Sequence, residues 1–192
     1  HFAYNSVQVI ANCPEEIYAL ANGAIFSINK MTENMTLYNN RSGLHGTNVC
    51  FLMYDEEREQ LLIMYSDGKM DIQYNGTMHY ISDLYNKRMT SSKKCNNITI
   101  HGKFAYLSMD FGILVFDLEK HEFKETYYIG EEASEVQVTD VMFYGDSIYA
   151  RTKSKNYSAC IYDNVVDYHF WSTCSVLPCP FDTKKGKEYT ML

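Results

Sequence analysis

Residues 104–117 decide the fold, and they read Phe104-Ala105-Tyr106-Leu107-Ser108-Met109-Asp110-Phe111-Gly112-Ile113-Leu114-Val115-Phe116-Asp117. Two apolar runs are joined by a short turn that contains a glycine, which is the pattern of a β-hairpin. The pattern occurs four times along the 192 residues. Its first anchor recurs in steps of 44, 44 and 43 residues, at Tyr18, Leu62, Tyr106 and Tyr149.

A second anchor has the same period. The residues that open the second apolar run are 45, 44 and 46 positions apart, at Gly23, Gly68, Gly112 and Ser158. Two independent anchors with one period indicate a repeat architecture, and a period in this range with several short strands per unit is typical of propeller blades. The sequence therefore predicts an all-β protein with about four β-propeller blades, each made of four antiparallel strands.

The repeat fills nearly the whole chain, which predicts a single propeller segment over residues 1–192. We expect blades at roughly 5–40, 46–84, 95–130 and 135–174, and a tail, 175–192, that begins a further unit. Strands A to D run outward from the propeller axis in each blade. In the third blade they are predicted at Asn97–His101, Phe104–Ser108, Ile113–Asp117 and Lys124–Ile129. In the fourth blade, strands C and D are predicted at Ser158–Tyr162 and His169–Cys174.

Composition excludes several classes of partner and of protein. The net charge of −7 argues against nucleic acid and anionic lipid as partners, because both require a basic face. No stretch approaches the ~18 consecutive apolar residues of a spanning helix. No signal peptide is visible, but the chain begins at His1, so we expect a processed or clipped chain whose leader is not in the sequence. The 17 Tyr and 10 Phe favour strands and blade packing, and a sugar-stacking surface is the alternative.

The six cysteines do not form a metal-binding pattern. They lie at Cys13, Cys50, Cys95, Cys160, Cys174 and Cys179, and no pair has the two-residue spacing of a zinc site. Cys50 and Cys160 lie in predicted strands among apolar neighbours, so we expect buried thiols there. A local disulfide between Cys174 and Cys179 remains an alternative. No metal and no cofactor are predicted.

No catalytic residue is predicted either. The acidic pairs, Glu131-Glu132 and Asp110 near Asp117, fit turn residues better than a glycosidase, which needs two carboxylates about 5–10 Å apart in a cleft. No Gly-x-Ser-x-Gly elbow occurs, and the six histidines are scattered over different blades. The five Asn-x-Ser/Thr sequons are interpreted as products of turn composition; they lie at Asn34, Asn40, Asn75, Asn97 and Asn156. The sequence thus predicts a protein that is not an enzyme.

The blade motifs resemble those of a known family. Residues 97–108, 111–118 and 126–130, with the earlier segments 18–27 and 65–72, resemble the N-terminal β-propeller of PorZ-like surface proteins of the Bacteroidetes type IX secretion system. WD40 and Kelch repeats fit less well, because the chain has no Trp-Asp pair and no paired glycines. The segment around 98–118 also resembles the periplasmic sensor propellers of Bacteroides hybrid two-component regulators.

The resemblance implies a non-enzymatic scaffold or ligand-binding module, exported to the cell surface or periplasm. It implies outer-membrane or surface proteins as partners, together with protein attachment and the delivery of anionic lipopolysaccharide. The alternative is an oligosaccharide-sensing propeller of a two-component regulator. Family members carry two seven-bladed propellers and a β-sandwich, so this chain matches about half of one propeller.

Two further expectations follow from propeller topology. Ligands approach the loops of a rigid scaffold, and the candidate loops are Asn12–Glu16, Asp55–Glu59, Tyr85–Lys94 and Gly130–Glu135, with no individual ligand-binding residue assigned. An open run of four blades exposes apolar sheet faces. We therefore expect a half-propeller that pairs with another copy, in preference to a closed four-bladed ring or a fragment of a longer chain.

Overall fold

The computed structural model describes residues 7–178, which form two compact units, the N-terminal unit over 7–87 and the C-terminal unit over 88–178. Each unit holds two sheets, and each sheet has four antiparallel strands in chain order. The prediction of an all-β chain built from four-stranded propeller blades is confirmed.

The N-terminal unit contains the first eight strands. Its first sheet consists of β1 (Val9–Asn12), β2 (Glu16–Ala21), β3 (Ala24–Asn29) and β4 (Met35–Tyr38). The second sheet consists of β5 (Val49–Asp55), β6 (Gln60–Tyr65), β7 (Met70–Tyr74) and β8 (Thr77–Ile81). A 3-10 helix (Asn40–Ser42) lies between the sheets along the chain, and a one-turn helix, α1 (Asp83–Asn86), follows β8.

The C-terminal unit repeats this arrangement. Its first sheet consists of β9 (Cys95–His101), β10 (Phe104–Met109), β11 (Gly112–Asp117) and β12 (Glu122–Tyr127). The second consists of β13 (Val138–Tyr144), β14 (Ser147–Thr152), β15 (Asn156–Cys160) and β16 (Ser172–Cys174). Two 3-10 helices (Glu131–Ala133 and Tyr168–Phe170) lie in the longer connections.

Each unit has a core where one sheet faces the next. Strand side chains alternate between faces, and in each unit one buried cluster joins the two sheets. In the N-terminal unit the cluster joins Leu20 and Ile25 of the first sheet to Leu52 and Ile63 of the second. In the C-terminal unit it includes Ile113, Val115, Val141, Ile148 and Trp171.

The alternation corrects the prediction for two cysteines. Cys50 and Cys160 lie in or at the end of strands, as expected, but both are half-buried. Their neighbours Val49 and Ala159 take the inward positions and join the cores. The buried thiols belong to Cys13 and Cys95. Cys179 lies outside the described residues, and so does most of the predicted tail.

The fourth blade differs from its predicted boundaries. Its third strand covers Asn156–Cys160, two residues earlier than predicted, because Arg151 pairs with Asn156 directly across the turn. The predicted outer strand His169–Cys174 shortens to Ser172–Cys174. Asp167 caps a 3-10 helix over Tyr168–Phe170, and its carboxylate accepts the backbone N–H of His169 at 3.0 Å, so these residues leave the sheet.

Two Asn-Gly turns have the backbone of tight hairpins. Asn22 and Gly23 have φ of 51° and 76°, and Asn75 and Gly76 have 48° and 71°. Positive φ at both central residues defines the tight hairpin that Asn-Gly favours. Gly112 opens β11 with φ of 151°, and a Cβ on Gly112 would meet the carbonyl oxygen of Tyr127 in β12.

Replacing Gly112 with valine should therefore destabilise the C-terminal unit. We expect the free energy of unfolding to fall by about 2–4 kcal/mol, because both the backbone angle and the space exclude a side chain. Gly102→Val is the matched control, since Gly102 also has positive φ (61°) but open space around it. It should cost only about 1–2 kcal/mol. Urea unfolding followed by circular dichroism measures both, and equal losses would show that the Tyr127 contact has no effect.

Candidate functional site

The candidate loops lie at two different ends of their sheets. In an antiparallel meander, the loops after the first and third strands share one end, which we call the first edge. The turn after the second strand and the connection to the next sheet share the other, the second edge. Asn12–Glu16 and Asp55–Glu59 lie at the first edge, whereas Tyr85–Lys94 and Gly130–Glu135 are connections at the second edge. Within the N-terminal unit, the first two loops thus lie at the opposite end of the sheets from the start of the third.

The structure brings the two first-edge loops together at a groove of about 470 Å³, the Tyr18 groove. Tyr18 of β2 donates a hydrogen bond to Gln73 Oε1 at 3.1 Å, and its hydroxyl lies 3.3 Å from that of Tyr38. Tyr38 donates to Glu16 Oε2 at 3.3 Å. The lining also includes Tyr54 of the next sheet; the remaining members are Cys13, Pro14, Glu15 and Glu59.

Tyr18 and Cys13 of the Tyr18 groove stay protonated at neutral pH. Burial, with hydrogen bonds to Tyr38 and Glu16, raises the pKa of Tyr18 far above its usual value. Burial raises the pKa of the Cys13 thiol to about 12, so Cys13 is not a nucleophile at neutral pH. The groove supplies hydrogen bonds and aromatic surface, but no activated nucleophile.

A second groove of about 400 Å³, the Phe143 groove, lies at the first edge of the C-terminal unit. The rings of His101 and Phe143 stack with centroids 3.9 Å apart, and Tyr106 meets Phe143 edge-on at 4.7 Å. Charged side chains surround the rings. Lys124 and Glu125 extend from β12, and Asp163 lies in the loop after β15. Burial, then the charge of Glu125, raises the pKa of Tyr106, so its hydroxyl stays neutral.

The two grooves are equivalent in the repeat. Tyr106, Tyr127 and Phe143 follow Tyr18, Tyr38 and Tyr54 by 88, 89 and 89 residues, which is two repeats. The strand register agrees, because Tyr38 pairs with Ile25 and Tyr127 pairs with Ile113, 88 residues later. Sequence reasoning found no local aromatic cluster. The sequence signal that identifies the two grooves lies at twice the repeat period, because aromatic residues occupy matching positions in every second blade.

A buried carboxylate fixes the second edge of the N-terminal unit. Asp71 is fully buried in β7, and its Oδ2 accepts the Tyr65 hydroxyl at 2.5 Å and the His45 backbone N–H at 2.9 Å. His45 Nδ1 lies 2.7 Å from Asp71 Oδ1, and the His45 ring stacks on Tyr80. Burial and the hydrogen bond to Asp71 raise the pKa of Tyr65, which keeps its hydroxyl a donor. The network anchors the connection between the two sheets.

The second edge of the C-terminal unit is fixed by Asp110. Its Oδ1 accepts hydrogen bonds from Asn96 at 2.9 Å and Gln137 at 2.7 Å. Burial alone would raise the pKa of Asp110, but these hydrogen bonds outweigh it and hold the pKa below its usual value. Ser91 also donates to Glu135, so residues 88–94 of one candidate loop contact the other.

The acidic pairs named from sequence are not paired in space. Asp110 and Asp117 lie at opposite ends of β11, roughly 20 Å apart at about 3.3 Å per residue. Asp117 closes the following turn, since its Oδ1 accepts the backbone N–H of Glu119 at 3.0 Å and of Lys120 at 2.9 Å. Glu131 and Glu132 lie on an exposed 3-10 helix. Two of the sequons, Asn97 and Asn156, lie in strands and not in turns.

Two further observations concern residues 7–178. No group of three or more His, Cys, Asp and Glu side chains within them is arranged to hold a metal ion. None of their helices has the length and apolar character needed to cross a bilayer.

The fold and the grooves define a class, the β-propeller modules built from four-stranded blades. The family model described as the PorZ N-terminal β-propeller domain of the type IX secretion system matches residues 17–172. The chain belongs to this family.

Solved structures agree with the family assignment. PorZ, described as an essential surface component of the type IX secretion system of Porphyromonas gingivalis, shares 27% identity over 90% of this chain, with a TM-score of 0.77. This chain spans 23% of the length of that PorZ chain. No curated protein sequence matches the chain significantly.

More distant structures share the fold alone. The extracellular domain assigned to a one component system of B. thetaiotaomicron is 12% identical, with a TM-score of 0.65 over 84% of this chain and 21% of its own. The domain assigned to a hybrid two component system of the same organism is also 12% identical. Its TM-score is 0.59, over 85% of this chain and 23% of its own.

The Asp71 network should be structural. Asp71→Ala leaves the Tyr65 hydroxyl and two His45 donors without their acceptor, so we expect a loss of about 3 kcal/mol in the free energy of unfolding. Asp67→Ala is the control, because Asp67 pairs with Lys69 at the surface and should cost less than about 1 kcal/mol. Urea unfolding compares the two. A loss below that of Asp67→Ala would contradict the anchoring role.

Proposed function

We propose that the chain is a non-enzymatic binding module of the cell surface or periplasm that binds saccharide at the first edge of its blades. One observation supports this most directly: the Phe143 groove combines aromatic rings with cationic and anionic side chains in one recess. A saccharide presents apolar ring faces bordered by hydroxyl groups, and such a groove matches both features.

The proposed contact for an anionic saccharide in the Phe143 groove is Lys124, and Glu125 and Asp163 also line the groove. The Lys124 ammonium lies 4.7 Å from the Phe104 ring centroid and 3.4 Å from a Glu125 carboxylate oxygen. It remains half-exposed, so it can meet an anionic substituent at the groove. This is the chemistry of anionic lipopolysaccharide, which the PorZ resemblance also favours.

The scaffold role follows from the same geometry. Loops at the first edge are held by packed sheets, so the grooves keep their shape without a ligand. The proposed partners are outer-membrane or surface proteins, with pairing to a second copy of the chain as a further possibility. Catalysis is not part of the proposal.

A neutral oligosaccharide is the second candidate. Glu125, Asp163 and Asn164 offer acceptors that suit hydroxyl groups, and they lie in the same groove as Lys124. Binding of this kind would fit the sensor propellers whose fold the chain shares.

Binding of deacylated P. gingivalis lipopolysaccharide, measured by calorimetry, tests the proposal. The double variant His101→Ala/Lys124→Ala should weaken binding about tenfold, since it removes a stacked ring and the groove's ammonium. Lys120→Ala is the control, because Lys120 carries the same charge on the adjacent turn and does not line the groove. Equal weakening by both variants, or no binding by the native chain, would contradict the proposal. Maltohexaose is the neutral probe. If the single variant Lys124→Ala binds maltohexaose with the affinity of the native chain, the neutral-oligosaccharide alternative holds.

A further inference from the structure

The Tyr18 groove has the aromatic frame of the Phe143 groove but a different charge. Glu15, Glu16 and Glu59 line it, and no Lys, Arg or His does so among the described residues. At the positions of Glu15 and Glu16, 88 residues later, the C-terminal unit has Lys103 and Phe104. The strand register supports this match, since Glu16 pairs with Asn29 and Phe104 pairs with Asp117. The charge at the position of Glu15 is therefore reversed between the two units.

The three carboxylates lack a cation partner among residues 7–178. No Lys or Arg side chain of that part of the chain forms an ion pair with Glu15, Glu16 or Glu59. Arg58 belongs to the same loop as Glu59, but it lies 3.2 Å from the buried Asp55 carboxylate and is itself largely buried. The groove therefore has unneutralised negative charge.

Acidic charges act on Tyr54 at the edge of the groove. Burial raises the pKa of the Tyr54 hydroxyl first, and the nearby carboxylates of Glu59, Glu56 and Asp55 add to the increase. At the neighbouring Cys13, burial has the largest effect on the pKa, and the opposing charge of Lys30 has a larger effect than that of Glu16.

The aromatic side chains complete a cation-binding arrangement. The rings of Tyr18 and Tyr38 are 5.4 Å apart with a tilt of 57°, and the hydroxyl contacts described above hold both rings in place. A cation near the face of an aromatic ring is attracted by the ring quadrupole, and carboxylates beside the rings add to the attraction. The N-terminal unit already contains such a contact, with Lys69 Nζ 4.4 Å from the Tyr85 ring centroid.

We propose that the Tyr18 groove is a second binding site, and that it binds a guanidinium or ammonium group. The group belongs either to a basic side chain of a partner polypeptide or to a free amine. This site is separate from the saccharide groove of the C-terminal unit and does not depend on it.

The test is a nuclear magnetic resonance titration of the full chain with the peptide acetyl-Gly-Arg-Gly-amide. The amide signals of Glu16, Tyr18 and Gln73 should shift in a saturable way. The isosteric citrulline peptide should cause no shift, because it lacks the charge. Equal shifts with both peptides would overturn the proposal.

Charge variants separate the groove from the net charge of the chain. Glu15→Gln/Glu59→Gln should raise the dissociation constant about fivefold or more. Glu131→Gln/Glu132→Gln makes the same charge change on the exposed 3-10 helix of the C-terminal unit and should leave the constant unchanged. If the second pair weakens binding as much as the first, the attraction is non-specific and the proposal fails.

Ring variants test the aromatic contribution. Tyr54→Phe keeps the ring and should retain binding, whereas Tyr54→Leu keeps an apolar side chain against the core and should weaken it several-fold. Equal binding by the two variants would remove the aromatic part of the proposal. Putrescine serves as the free-amine probe. Tighter binding of the arginine peptide than of putrescine would assign the cation to a partner polypeptide, and the reverse order would assign it to a free amine.

Discussion

The structure depends on one constraint: each four-stranded sheet must bury its apolar face against the next sheet of its unit. Leu20 and Ile25 meet Leu52 and Ile63 in the N-terminal unit, and Ile113 and Val115 meet Val141 and Ile148 in the C-terminal unit. Because side chains alternate along a strand, a slip of one residue would move every one of these groups to the opposite face of its sheet. The packing therefore fixes the register, and the register fixes where each loop begins.

The grooves are a consequence of this packing. Tyr18 and Tyr54 come from consecutive sheets, and they meet because those sheets stack in a fixed register. Tyr106 and Phe143 meet for the same reason in the other unit. The aromatic frame is part of the repeat, whereas Glu15 and Lys103 occupy equivalent positions at the edge and differ in charge. A repeated scaffold can thus acquire different ligand chemistry by changes that leave its core intact.

Much of the fold could be predicted because its signals are local. Asn22-Gly23 and Asn75-Gly76 specify tight turns by their own backbone preferences, and Gly112 occupies an angle that other residues avoid. The outer strand of the fourth blade could not be predicted at its true length, since the capping of Tyr168–Phe170 by Asp167 competes with pairing to β15. Tyr18 and Tyr54 are 36 residues apart, so the groove they share depends on strand pairing and sheet stacking that a single sequence does not specify. The burial of Cys50 and Cys160 could not be predicted either, because a one-residue difference in the alternation along a strand decides which face of the sheet a side chain occupies.

The central claim is that ligands are recognised at the first edge of the blades. Hydrogen exchange of backbone amides, compared with and without deacylated P. gingivalis lipopolysaccharide, tests it most directly. We expect added protection near Lys124, Phe143 and Val165, which line the first-edge groove of the C-terminal unit. Protection confined to the second edge, near Ser91, Asp110 and Glu135, would contradict it.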